Sequence, residues 1–224
     1  MDRRDFVVST FACAVGLSSR ARLAGQRKTI EPDLAALADA NGLRVFNRGV
    51  SSLKDGARKG VRLNESPSDG VAYLPGIELA DGTIEFDVKG KDVQGQSFVG
   101  VAFHGVDGST YDAIYFRPFN FRTDDPERRS HGVQYVSHPT YTWQKLRNEQ
   151  PGKYEQAVNP VPDPNGWFHA RVVVASPKVS VFVGDAQAPS LVVDQLSDRK
   201  KGLVGLWVGN TSGGDFANVT IVPA

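Results

Sequence analysis

Thr83-Ile-Glu-Phe-Asp-Val88 reads as a strand with two unlike faces, Ile84, Phe86 and Val88 on one and Glu85 and Asp87 on the other. Phe216-Ala-Asn-Val-Thr-Ile-Val222 repeats the pattern, with Ala217, Val219 and Ile221 opposing Asn218 and Thr220. Strands of this kind pack one face and leave the other wet, as antiparallel sheets do when stacked in a sandwich. Working outward, short strand signals are expected at 61–64, 71–74, 98–104, 113–117, 133–137, 167–175, 178–183, 191–193 and 203–208. Turn clusters punctuate them: Asp81-Gly82, Asp107-Gly108, Pro164-Asn165-Gly166, Gly184-Asp185 and Ser212-Gly213-Gly214. No helical stretch alternates with the strands, which argues against a βαβ fold. The expected class is all-β, a two-sheet antiparallel β-sandwich of jelly-roll type.

A chain of 224 residues with 40% apolar content suits one such domain plus a leader. Residues 1–25 read as a twin-arginine signal peptide: Arg3-Arg4 precede Phe6, and an apolar run from Phe6 to Leu17 is too short to span a membrane. Residues 26–42 are expected to be a linker with a short helix, Pro32 in its first turn and Asn41-Gly42 at its end. The sandwich should occupy 43–224. The expected location is periplasmic or secreted in a bacterium, with no membrane insertion of the mature chain. The single cysteine, Cys13, lies in the leader, so the mature domain would rely on core packing without a disulfide.

Formal charge is +1, and setting aside residues 1–25, with their four Arg and two Asp, leaves 22 basic against 23 acidic groups. Nucleic acid is therefore not the expected partner, since phosphate binding wants a basic excess. The polar-aromatic segments Tyr115-Phe-Arg-Pro-Phe-Asn-Phe-Arg122 and 131–154 point instead to a carbohydrate or polyol. Guanidinium and amide groups at Arg117, Asn120 and Arg122 suit vicinal hydroxyls or a carboxylate; alternatively Arg117 braces the loop by pairing Asp124 or Asp125. Alternation in Val133-Gln-Tyr-Val-Ser-His138 puts Gln134, Val136 and His138 on one face and Tyr135 on the other, toward the core. His138 could then serve as acid or base near neutral pH. Trp143 and Arg147, four apart on a short helix, offer an indole platform for a sugar ring or tack the segment to the sheet. Glu85 and Asp87, two apart on one strand face, form a candidate carboxylate pair, or are simply solvated outer-face charges. No cofactor is expected. A structural Ca²⁺ at the Gly213-Gly-Asp215 turn is the one metal alternative weighed.

The order of the later elements resembles a known family. Gly82-Thr-Ile-Glu-Phe-Asp, 98–103 leading into 111–116, Gly166-Trp-Phe-His-Ala-Arg-Val, Val179-Ser-Val-Phe-Val-Gly, Gly202-Leu-Val-Gly-Leu-Trp-Val-Gly209 and Phe216-Ala-Asn-Val-Thr-Ile follow one another. Over 60–222 this looks like the 3-keto-disaccharide hydrolase-like domain family, within the concanavalin A-like lectin/glucanase sandwiches. The resemblance implies a ligand site on the concave sheet and its overhanging loops. Trp207 stands where many members have Gln, and Asn210 where His is common; both are candidate ligand contacts. It also implies a hydrolase or lyase of glycosides or 3-keto-glycosides. A non-catalytic carbohydrate-binding module and a laminin-G-like interaction module remain the alternatives. His138 in a polar pocket with a carboxylate in reach would favour the enzyme, and a shallow aromatic groove the binding module.

Overall fold

The computed structural model describes residues 28–224; the expected signal peptide and Cys13 lie outside them. In chain order the strands are β1 (Arg44–Phe46), β2 (Val50–Asp55), β3 (Arg58–Leu63), β4 (Gly70–Leu79), β5 (Gly82–Lys89), β6 (Val99–Gly105) and β7 (Tyr111–Phe116). There follow β8 (Val133–His138), β9 (Glu155–Gln156), β10 (Trp167–Ala175), β11 (Lys178–Val183), β12 (Leu191–Asp194), β13 (Gly202–Val208) and β14 (Gly214–Pro223). They form two antiparallel seven-stranded sheets, a front sheet ordered β1-β4-β13-β6-β7-β8-β9 and a back sheet ordered β12-β11-β10-β5-β14-β3-β2. Three short helices, α1 (Leu34–Asp39), α2 (Pro126–Arg129) and α3 (Trp143–Glu149), lie outside the sheets. Among the described residues no helix is long and apolar enough to cross a membrane.

The back sheet behaves as the alternation dictates. Ile84, Phe86 and Val88 of β5 and Phe168, Ala170, Val172 and Val174 of β10 are buried, while the residues between them are not. Each aromatic or branched side chain taken out of water here contributes roughly 1.5–3 kcal/mol. Phe116 of the front sheet meets Phe168 of the back sheet edge to face, 5.2 Å between centroids, and locks the layers together. One expectation needs correcting. Phe216 and not Ala217 faces the core, because β14 carries a bulge: Phe216 pairs with Val88, Ala217 with Asp87, and register resumes only at Thr220 with Glu85. Asn218, at φ 50°, takes the left-handed conformation that resets the alternation.

The front sheet is buried on both faces over β6, β7 and most of β8. Its inner face carries a polar cluster around Asp112, which accepts from Tyr135 Oη (3.1 Å), Ser197 Oγ (2.6 Å) and Arg199 Nη2 (2.8 Å) and so ties down the 195–199 loop. Its outer face is covered by the β7–β8 and β8–β9 connections. The first contains a 3₁₀ turn (Pro118–Asn120) and α2, capped by the Asp125 carboxylate; the second contains α3, capped by Thr142. Nearer the N-terminus, α1 is capped by Asp33, so Pro32 precedes the helix and does not enter it. Ile30 exchanges backbone hydrogen bonds with Ile221, which stitches the segment expected as a linker to β14.

Candidate functional site

Strand register builds the floor of a cavity on the outer face of the front sheet. One cross-strand row runs Trp207, Gly100, Tyr115, Gln134, Glu155, each residue opposite the next. The adjoining row runs Gly205, Ala102, Ala113, Val136, and its small side chains leave a hollow. Trp207 and Tyr115 stand two strands apart, roughly 9.5 Å at the backbone. Their rings nonetheless approach to 4.9 Å between centroids, because Gly100 puts no side chain between them. A Cβ there would fall 2.0 Å from the Ile114 carbonyl oxygen, so the position demands glycine.

The loops close this floor into a cavity of about 390 Å³, within the range of small-molecule sites. Arg117, Asn120, His138, Trp143, Arg147, Trp207 and Asn210 all line it, joined by Asp69, Phe98, Tyr115, Phe119, Arg128 and His131. Gln134 is fully buried behind Arg117 and does not line it. Arg122 is exposed outside the cavity, because Phe121 beside it turns inward onto Phe168. Glu85 and Asp87 lie on the outer face of the back sheet, on the opposite side of the sandwich from His138. Asp87 is occupied there by Arg58 Nε (3.1 Å), His169 Nδ1 (3.0 Å) and Asn218 Nδ2 (2.8 Å). As a catalytic pair acting with His138 they are therefore displaced by geometry. Asp215, weighed for Ca²⁺, gives both carboxylate oxygens to Arg62 at 2.6 and 2.7 Å.

One end of the cavity is built on a buried carboxylate. Glu155 accepts from Arg147 Nε (2.9 Å) and Nη2 (2.6 Å) in a bidentate pair, with Arg117 Nη1 at 3.5 Å. His131 Nδ1 sits 2.9 Å from the same carboxylate but off the hydrogen-bonding line. Burial alone would raise the Glu155 carboxyl, yet Arg147, Arg117 and His131 hold it below the ordinary glutamate value. Burial also lowers His131 from the usual imidazole value. Arg117 does not pair with Asp124 or Asp125. It donates to Tyr115 Oη (2.7 Å), Gln134 Oε1 and the His131 carbonyl (3.0 Å), and its guanidinium lies over the Tyr115 ring. Burial pushes the Tyr115 phenol up to about 12, so it remains a protonated donor, to Gln134 Oε1 at 2.8 Å.

The other end carries an acid–base pair. Asp69 Oδ2 lies 3.9 Å from His138 Nε2, and His138 stacks on Tyr111 at 5.1 Å. Trp207 Nε1 donates to Tyr111 Oη (3.0 Å), which donates to Asp69 Oδ2 (3.4 Å). Asn210 holds the Asp69 loop: its backbone N–H donates to Asp69 Oδ1 (3.1 Å) and its side-chain oxygen accepts from the Ser68 N–H (2.6 Å). Burial raises the Asp69 carboxyl and lowers the His138 imidazole, with each partner's charge opposing the shift of the other. Their proton affinities are thereby drawn toward each other, an arrangement suited to proton transfer between them. Asp69 and Glu155 escape sequence reasoning. Asp69 sits in Ser66-Pro-Ser-Asp-Gly70, which reads as a turn, and Glu155 follows the polar-aromatic stretch by one residue.

No protein-family profile and no curated protein sequence matches the chain. Solved structures do match in fold. A carbohydrate-binding module, CBM66 of Bacillus subtilis, superposes with TM-score 0.52 and 16% identity over 79% of this chain and 96% of its own. A Bacillus subtilis protein of unknown function with a galectin-like fold gives 0.57 and 12% identity over 87% and 96%. A protein of Parabacteroides distasonis provisionally named a glycosyl hydrolase gives 0.50 and 13% over 82% and 89%. At these identities the likeness defines the architecture: the chain is a jelly-roll sandwich of the galectin and concanavalin A type.

Proposed function

We propose that the front-sheet cavity binds a carbohydrate and that the chain cleaves a glycosidic linkage there. The observation that carries this reading is the Asp69–His138 pair, 3.9 Å apart, on the wall of an aromatic-floored cavity. Trp207, Tyr115 and Phe98 supply apolar surface for the face of a sugar ring, and Asn120, Arg128 and Arg147 supply donors and acceptors for its hydroxyls. His138, kept neutral by burial, takes a proton from the water that attacks the anomeric carbon and returns it to the departing glycosidic oxygen, while Asp69 stabilises the imidazolium in between. The separation exceeds hydrogen-bonding range, so a substrate hydroxyl or water can bridge the two groups while Tyr111 and the Asn210 N–H hold Asp69 in place. The family resemblance makes 3-keto-glycosides the first substrates to screen. Turnover of a panel of glycosides and 3-keto-glycosides that His138→Ala abolishes is the supporting result.

A second reading, a non-catalytic binding module, draws on Trp143. Its indole is 47% exposed at the cavity rim and stacked 5.2 Å from the Arg147 guanidinium, a ready platform for sugar without chemistry. Binding that survives His138→Ala with no turnover of any panel member would favour it. Export is part of the proposal: Arg3→Lys with Arg4→Lys should hold the protein in the cytoplasm, and unchanged periplasmic yield would sink that part.

A further inference from the structure

The two ends of the cavity differ in charge, and the difference selects among sugars. Three guanidiniums, Arg117, Arg128 and Arg147, line one end. Glu155 serves two of them, and its charge is already spread over Arg147, Arg117 and His131. Arg128 makes one long contact, to the Phe119 carbonyl at 3.4 Å, and among the described residues no carboxylate comes within ion-pair distance of it. The acids of its own short helix, Asp125 and Glu127, are exposed and do not line the cavity. That end thus holds a surplus of positive charge against a largely apolar wall, where water screens it poorly. Two side-chain atoms buried beside it have no partner: Gln134 Nε2, a donor, and Asn120 Oδ1, an acceptor. Both residues are more than nine-tenths buried, so these atoms carry an unrecovered desolvation cost.

From these features we infer that the cavity takes an acidic saccharide, a uronate, with the sugar carboxylate at the Arg117–Arg128 end. This rests on the reading of the cavity as a carbohydrate site. A planar two-oxygen anion matches the guanidinium fork and can take the free donors of Arg128. Gln134, behind Arg117, is not reached directly, but its Oε1 already holds Arg117 in place for such an anion. A neighbouring ring hydroxyl donates to Asn120 Oδ1, while the ring face lies along Trp207 and Tyr115. A neutral sugar would satisfy the stacking and leave the charge uncompensated.

Titration calorimetry on the full-length protein tests this with matched probes: trisaccharides of galacturonate, mannuronate and glucuronate, each beside its methyl ester, plus a sulfated neutral trisaccharide. The expected result is at least one uronate binding about tenfold or more tighter than its own ester. The preference should shrink as salt is raised and collapse toward unity in Arg128→Gln. Arg128 is partly exposed, so that variant should keep the wild-type melting temperature. Esters or neutral sugars binding as tightly as the acids would overturn the charge assignment while leaving the carbohydrate site standing. Stronger binding of the sulfated sugar, or an unchanged acid-to-ester ratio in Arg128→Gln, would overturn it as well. If no acidic or neutral saccharide binds, the carbohydrate reading falls first and this inference with it.

Discussion

The outer faces of the two sheets carry similar residues to opposite effect. Each presents a carboxylate among cations and a histidine: Glu155 with Arg147, Arg117 and His131 on the front, Asp87 with Arg58 and His169 on the back. On the back the cluster meets solvent, with the Arg58 side chain 42% and that of His169 37% exposed. On the front the Glu155 side chain is 2% exposed and its partners form the wall of a cavity. What separates them is the covering provided by the β7–β8 and β8–β9 connections. The two carboxylates differ in degree, Asp87 being 13% and Glu155 2% exposed at the side chain, and charges become stronger, costlier and more directional as covering loops exclude water.

Replacing each carboxylate is the sharpest way to break that comparison. Glu155→Gln removes the charge that faces the buried Arg117 guanidinium and the half-buried Arg147, and should cost about 3 kcal/mol in urea unfolding. Asp87→Asn should cost about 1 kcal/mol at most, because its partners are wet. Equal losses would show that burial does not distinguish the two faces. The next contrast is chemical: His138→Ala should cut turnover about 100-fold or more, whereas His169→Ala on the back face should leave it within about twofold.

The histidines also part company in pH. Burial lowers His138, so it stays neutral until pH falls below the ordinary imidazole value of about 6.5, and the acid limb of activity should lie below that point. Asp69 pulls the imidazole back up, so Asp69→Asn should move whatever limb survives lower still; a limb above 6.5 would exclude His138 as the base. The Asp87 hydrogen bond raises His169, so its contribution to stability is present below about pH 6.5 and fades as pH rises through the raised value. His169→Gln should cost a few tenths of a kcal/mol at pH 5.5 and nothing measurable at pH 9, the smallest effect of the set. A loss that grows toward pH 9 would contradict the ion pair.

The contrast between the sheets also explains what was legible in the sequence. Thr83–Val88 announces its two faces because only one of them is covered, and the sandwich follows from that. Gln134 and His138 share an outward face and Tyr135 points inward, as alternation says. Three strands escape notice. β1 and β9 have only three and two residues, and β2, at the edge of the back sheet, is exposed along most of its length and shows no apolar stripe. The concentration of Arg, His and aromatic residues in 115–154 marks the cavity by composition alone. Asp69 and Glu155 stay hidden because their roles depend on register between strands far apart in sequence, and a carboxylate in a turn looks like any other until the fold chooses its neighbours. Glu85 and Asp87 mislead for the converse reason: spacing along one strand says nothing about which side of the molecule that strand will face.

The strand that carries Glu155 is two residues long and sits at the rim of its sheet, paired through Gln134 with Glu155 and Val133 with Gln156. The carboxylate that gathers Arg147, Arg117 and His131 is therefore held by a two-residue strand at the edge of its sheet. Detaching that rim would take the negative charge away from Arg117, Arg147 and His131 together, while the strand pairs of the sandwich beneath would stay as they are.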